Sequence, residues 1–202
     1  MLDQRMLYKD ILMSCPKEIC FNNPILNDAY QFINFKDEDE NSWAEIEVSA
    51  REFETIEEAL NKFYTRFSNE KEQLYSSMIF IERKDTHEKI ATALAWHVKT
   101  GENILPMLHF VAVKENYQGL GLGRKIVEKA LYILQNKYPN QNIVLHTQTW
   151  SWHAILLYQK LGFSILKKGS FGHYSNKYEE AMIELEKYLD KEVIDRIKNG
   201  TK

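Results

Sequence analysis

Gly119, Gly121 and Gly123 alternate with Leu120 and Leu122 and are followed by Arg124. Alternating glycines let a backbone come close to a bulky ligand. Ahead of them, Leu108-His-Phe-Val-Ala-Val113 reads as a buried strand, and Lys114, Glu115 and Asn116 as a turn. Behind them, Ile126, Val127, Ala130, Leu131 and Leu134 recur at three- and four-residue steps, one face of a helix from Gly123 to about Tyr138. The first turn of a helix offers free backbone N–H groups and the positive end of the dipole. Strand, glycine loop and helix together suit the binding of a phosphate or pyrophosphate. A glycine turn without a ligand is the plain alternative, and the flanking strand, the helix and the basic Arg124 speak against it.

Two common phosphate patterns are excluded. The dinucleotide fingerprint would need glycine at Arg124, and the nucleotide P-loop would need a hydroxyl after its lysine. The pattern that fits is Gln118-x-x-Gly121-x-Gly123, which resembles the acetyl-CoA pyrophosphate loop of the GNAT superfamily of N-acetyltransferases. A second element, Ala154-Ile-Leu-Leu-Tyr-Gln-Lys-Leu-Gly-Phe163, is similar to that family's Ala-x-x-Leu-Tyr-x-Lys-x-Gly-Phe signature at every fixed position. The resemblance implies a cofactor site made by Val111, Val113, Gln118, Gly119, Gly121, Gly123, Arg124 and Lys160. In the family, the backbone near Val111 and Val113 holds the acetyl group and pantetheine arm. Tyr158 matches the residue that protonates the departing thiolate, and a phenol has the apolar body and polar tip for this; a simply packed tyrosine is the alternative. Ser151 departs from the asparagine of many relatives and is expected to cap a helix instead. Glu115 stands where relatives often have proline.

Acetylation of an amine needs the neutral amine, so a group must take up a proton. His109 is the first candidate, because histidine titrates near neutral pH. Its surroundings are similar to the serotonin N-acetyltransferase branch, where a histidine in this region is implicated in proton removal. A hydrogen-bonded core histidine is the alternative. His146, Glu45 and Glu47 are rival bases, the last two also amine-binding groups or plain surface carboxylates. Glu45 and Glu47 point the same way on a strand and diverge on a helix. Trp43 and Glu47 are expected on the acceptor side, with Trp150 and Trp152 as further aromatic walls or as core residues.

At 202 residues with 44% hydrophobic content, the chain suits one domain with a real core. A net charge of −3 speaks against a general nucleic-acid binder. Cys15 and Cys20 do not have zinc-motif spacing and read as ordinary thiols of a reducing compartment. No apolar run reaches membrane-spanning length, and Met1-Leu-Asp-Gln-Arg lacks a signal-peptide pattern. A cytoplasmic protein is expected, with no metal, no membrane, and a homodimer admitted.

The other expected elements follow from pattern. Ile11 to Met13 reads as a short strand or a stray apolar segment, and Tyr30 to Ile33 as a strand. Asp37 to Glu40 reads as a solvated loop or helix start. Ala44, Ile46 and Val48 alternate with glutamates in a strand pattern, yet a cap at Asn41 or Ser42 favours helix over 43–48. Thr55-Ile-Glu-Glu58 reads as the capping box of a helix running to about Tyr75. Strands are expected at Met78–Ile81 and Ile90–Trp96, with a charged hairpin turn between and another turn at Gly101. Further strands are expected at 142–147, 163–166 and 181–185, and a helix from Ala154 to Leu161 closed by Gly162. A loop fills 169–178.

This order resembles the GNAT fold, an α/β (mixed α+β) architecture with a central mixed sheet of about seven strands flanked by helices. The resemblance is strongest over 108–166, with 1–27 and 188–202 peripheral. It implies direct transfer from acetyl-CoA to a small-molecule amine or a peptide. A non-catalytic acyl-CoA-binding or sensing module on the same fold, and an α/β protein binding another phosphate ligand, are the rivals.

Overall fold

A computed structural model describes residues 2–201. Seven strands form one mixed sheet in the order β2-β3-β4-β5-β6-β1-β7. They are β1 (Asp10–Cys15), β2 (Tyr30–Asn34), β3 (Met78–Arg83), β4 (Lys89–Thr100), β5 (Asn103–Val113), β6 (Ile143–Gln148) and β7 (Ser164–Ile165). A separate hairpin pairs β8 (Ser170–Phe171) with β9 (Tyr174–Ser175). The helices are α1 (Glu40–Ser49), α2 (Ile56–Phe67), α3 (Lys71–Ser77), α4 (Leu122–Lys137), α5 (Trp152–Lys160), α6 (Tyr178–Glu186) and α7 (Lys191–Asn199). The chain divides into two compact units, one of Phe21–Trp96 with Leu108–Lys137, the other of Leu2–Cys20 with His97–Met107 and the segment from Tyr138 on.

In the first unit, β2 and β3 pair antiparallel, as do β3 and β4. The segment 43–48 is helical as expected, but the cap is not at Asn41 or Ser42: both lie inside α1, whose N-cap residue is Asp39 and which has no side-chain cap. Helix α1 begins after Asp39, whose carboxylate accepts from the Lys36 N–H and pairs with Lys89 at 2.9 Å. That pair is buried, so the acidic stretch at 37–40 is a helix start tied to the core and not merely a solvated turn. The Thr55 hydroxyl accepts from the Glu58 N–H at 3.1 Å, while the Glu58 carboxylate reaches back to the Glu54 N–H. The helix expected to run to Tyr75 stops at Phe67, and α3 starts again at Lys71 after Ser68, Asn69 and Glu70. These elements close over an aromatic core that includes Phe35, Trp43, Phe63, Phe67 and Phe80.

In the second unit, β1 lies between β6 and β7 and pairs antiparallel with both. Ile11, Leu12 and Met13 are fully buried, so the 1–27 segment carries a sheet strand and is not wholly peripheral. The strand expected at 163–166 shortens to Ser164–Ile165. The expected strand at 181–185 is the helix α6. Ala181, Met182 and Leu185 are buried while Ile183 is 61% exposed, a helical stripe and not a strand face. Glu184, between them, accepts from the distant Leu7 N–H at 2.7 Å.

Candidate active site

Strand β5 approaches the glycine loop through a kink. Phe110 has φ +45°, a conformation that costs a bulky residue about 1–3 kcal/mol and persists only where packing imposes it. The packing is aromatic: the Phe110 ring meets Trp43 at 5.3 Å, Phe67 at 5.8 Å and the ring of His109 at 4.0 Å. Beyond the kink, Ala112 is buried while Val111 and Val113 are half-buried. No glycine or proline inside 108–113 marks this kink in the sequence.

A short 3-10 turn, Glu115–Tyr117, connects β5 to the loop. The Gln118 side-chain amide folds back to donate to the Val113 carbonyl at 3.0 Å. Gly119 and Gly121 have φ +78° and +79°, where an L side chain is strained, and a Cβ added to either meets nothing within 4 Å. Gly123 differs, since its Cβ would make an ordinary 3.6 Å contact with Val113. Helix α4 opens at Leu122, directly behind these turns, so the loop runs into a helix head whose first N–H groups have no partner within the helix. Arg124 is exposed, with its guanidinium 2.7 Å from Glu128 one turn on. Left-handed glycines, open space and a helix head fit a pyrophosphate.

The inner face of α1, in the same unit, is of another kind. Trp43 is fully buried, in ring contact with Phe53, Phe63 and Phe110. The expectation that its ring walls an acceptor is therefore corrected: Trp43 is a core residue beside the β5 kink. Its indole N–H has no hydrogen-bond partner among the described residues. One turn on, Glu47 is 1% exposed and its Oε1 is likewise unpartnered. Burial pushes the Glu47 carboxyl well above the usual carboxylate range, and the charge of Glu52 adds to the effect. Glu45 points away, as a helix requires, and pairs with Lys114 at 3.3 Å.

The second unit holds the other expected residues. Tyr158 is 7% exposed in α5, its ring 6.0 Å from Phe163. Lys160 is exposed at the last position of α5, and Gly162 beyond it has φ +95°. Ser151 makes no side-chain cap; its hydroxyl accepts from the Gln148 amide at 3.0 Å. The Trp150 indole donates to the Met6 carbonyl, which ties it to the fold. His146 is held by Asp10 at 2.6 Å and stacks on Tyr174 at 4.2 Å. Burial lowers the His146 imidazole and Asp10 opposes that shift. Asp10 was not legible as a partner, since 136 residues separate it from His146. Among the described residues, no cluster of three or more His, Cys, Asp or Glu is placed to hold a metal. No helix among them is long and apolar enough to cross a membrane.

The family model described as "Acetyltransferase (GNAT) family" matches residues 33–163. A comparison with curated proteins returned no significant match. Among solved structures, a GCN5-related N-acetyltransferase from Sphaerobacter thermophilus is similar at a TM-score of 0.62 and 16% identity, over 80% of this chain and 49% of that one. A GNAT-family acetyltransferase from Colwellia psychrerythraea aligns at 0.57 and 12% identity, over 79% of this chain and 54% of that one. Glucosamine-6-phosphate N-acetyltransferase from Arabidopsis thaliana aligns at 0.50 and 18% identity, over 73% of this chain and 99% of its own. The chain thus spans about half the length of the Sphaerobacter structure, and at these identities the likeness is one of fold. Family model, sheet and glycine loop agree: this chain belongs to the GNAT family of acetyltransferases.

Proposed function

We propose that the protein is an N-acetyltransferase that moves the acetyl group of acetyl-CoA directly onto an amine. The observation that carries this is the pair of left-handed glycines, Gly119 and Gly121, with open space above them at the head of α4. When bound, acetyl-CoA supplies an activated acyl thioester. Gln118, Gly119, Gly121, Gly123 and Arg124 would hold its phosphates, the loop mainly through backbone N–H groups. Lys160 would add a charge to the cofactor, as the family signature implies. The backbone of β5 at Val111 and Val113 would orient the acetyl and pantetheine end.

Tyr158 is assigned the general acid and His109 the proton acceptor, with His146 as the rival base because Asp10 already orients its ring. Glu47 is assigned to the acceptor: a buried carboxyl with an unpaired oxygen calls for an N–H donor, and an amine brings one. The acceptor is a small-molecule amine or a peptide, and the setting is the cytoplasm. Thioester turnover with a panel of polyamines, amino acids, amino sugars, aminoglycosides and peptide N-termini tests the proposal. Turnover with at least one amine supports it. Acetyl-CoA binding with no turnover across the panel supports a non-catalytic sensing module instead.

A further inference from the structure

The turn that delivers β5 into the glycine loop is pinned at both ends by one carboxylate. Glu88 lies just before β4, in the stretch that reads as a charged hairpin turn. Its Oε1 accepts from the Lys114 ammonium at 2.9 Å and its Oε2 from the Tyr117 hydroxyl at 2.7 Å. Lys114 is the residue before the 3-10 turn and Tyr117 is its last residue. Arg83 donates to the same Tyr117 hydroxyl at 3.1 Å, while its other edge is held by Asp85. From the other side, α1 reaches the turn at two points and Arg51, just past its end, at a third. Glu45 takes Lys114 at 3.3 Å, the Ser49 hydroxyl accepts the Glu115 N–H at 3.0 Å, and Arg51 pairs with Glu115 at 2.8 Å. The Lys114 N–H also donates to the Ile90 carbonyl at 2.8 Å. Two residues after Tyr117 comes Gly119, the first left-handed position of the loop.

We infer that Glu88 and Tyr117 are positioning residues for the phosphate-binding loop. They touch no part of the ligand. They fix both ends of the turn, and so the direction in which the loop presents its N–H groups. A glycine loop has more backbone freedom than any other. If that freedom is removed before the ligand arrives, the loss is not charged against binding. The Glu88 carboxylate is suited to the task because both of its bonds are strengthened by charge. They hold it below the usual carboxylate range, with the Tyr117 bond the largest cause.

The inference rests on reading the glycine loop as a CoA phosphate site, and the test separates the two. Dissociation constants for CoA and for its phosphate-free fragment pantetheine are measured by calorimetry on the full chain, for the wild type, Glu88→Ala, Tyr117→Phe and Gly121→Val. The positioning role predicts CoA binding weakened about tenfold in Glu88→Ala, less in Tyr117→Phe, with pantetheine binding unchanged in both. Glu88→Gln keeps an acceptor for one partner and should recover part of the loss. CoA affinity untouched in Glu88→Ala, or CoA and pantetheine weakened alike, overturns the inference while a weakened Gly121→Val leaves the loop reading standing. If Gly121→Val binds CoA as the wild type does, the loop reading falls and this inference with it.

Discussion

The glycine loop and the inner face of α1 belong to the same compact unit and treat polar groups in opposite ways. Around the loop, side chains are paired: Gln118 with Val113, Lys114 with Glu45 and Glu88, Tyr117 with Glu88 and Arg83. The glycines of the loop present only backbone. On α1, Trp43 Nε1 and Glu47 Oε1 are buried a turn apart with no hydrogen-bond partner among the described residues. The difference matches the roles proposed for the two regions. A phosphate is the same in every turnover, so a backbone geometry fixed in advance suffices for it. The Glu47 oxygen is the one proposed to meet an amine, which would bring its own donor, while Trp43 beside it is a core residue packed on Phe53, Phe63 and Phe110.

The largest expected effect concerns how α1 is held. Asp39→Ala leaves Lys89 buried without its counter-charge, which should cost about 3–5 kcal/mol of stability. Chemical denaturation reads this, and the double variant Asp39→Ala, Lys89→Met should recover much of the loss. An unchanged midpoint in the single variant would mean that the α1 face is not fixed by this pair. Next comes Tyr158→Phe, which keeps the ring beside Phe163 and removes only the hydroxyl. Turnover should fall by about 10²-fold with acetyl-CoA affinity little changed. Equal turnover would return Tyr158 to a packing role.

A smaller effect tests the unpaired Glu47. Its carboxyl is raised above the ordinary value of 4.5, so the folded state favours the protonated form. That preference is complete below pH 4.5 and is lost as the pH rises through the raised value. Glu47→Gln should therefore gain on the wild type as pH rises, by roughly 2–4 °C in melting temperature at pH 8. A gap between the two proteins that stays constant from pH 4 to 8 would show that Glu47 is solvated in the fold. The smallest effect separates the glycines. Gly123→Ala should bind acetyl-CoA nearly as well as the wild type, because its Cβ makes only an ordinary contact with Val113. A strong loss there would mean that close approach extends into the first turn of α4.

The same contrast explains what could be read from the sequence. The loop was legible because its requirements are local: glycines at fixed steps, a strand before and a helix after. The family signature around Tyr158 is equally local. Helix α1 was ambiguous because Ala44, Ile46 and Val48 alternate like a strand, and the deciding contact, Asp39 with Lys89, joins residues fifty positions apart. The 181–185 segment misled for a like reason. The run Ala181-Met-Ile-Glu-Leu185 is short and mostly apolar, and the distant partner of Glu184, the backbone of Leu7, left no mark in it. The Phe110 kink left no trace, since it is imposed by rings from α1 and α2 and not by a glycine. Glu88 was hidden inside a charged turn in which Lys84, Asp85, Thr86 and His87 are exposed.

The most direct measurement is calorimetric titration of acetyl-CoA into the wild-type protein and Gly121→Val, with NAD and ATP as comparison ligands. A valine at φ +79° strains the turn and puts a branched side chain into the open space above the loop. The account predicts saturable acetyl-CoA binding to the wild type, no heat with NAD or ATP, and affinity lost by about a hundredfold or more in a folded Gly121→Val. An unchanged dissociation constant in that variant, or equal binding of NAD or ATP by the wild type, would contradict it.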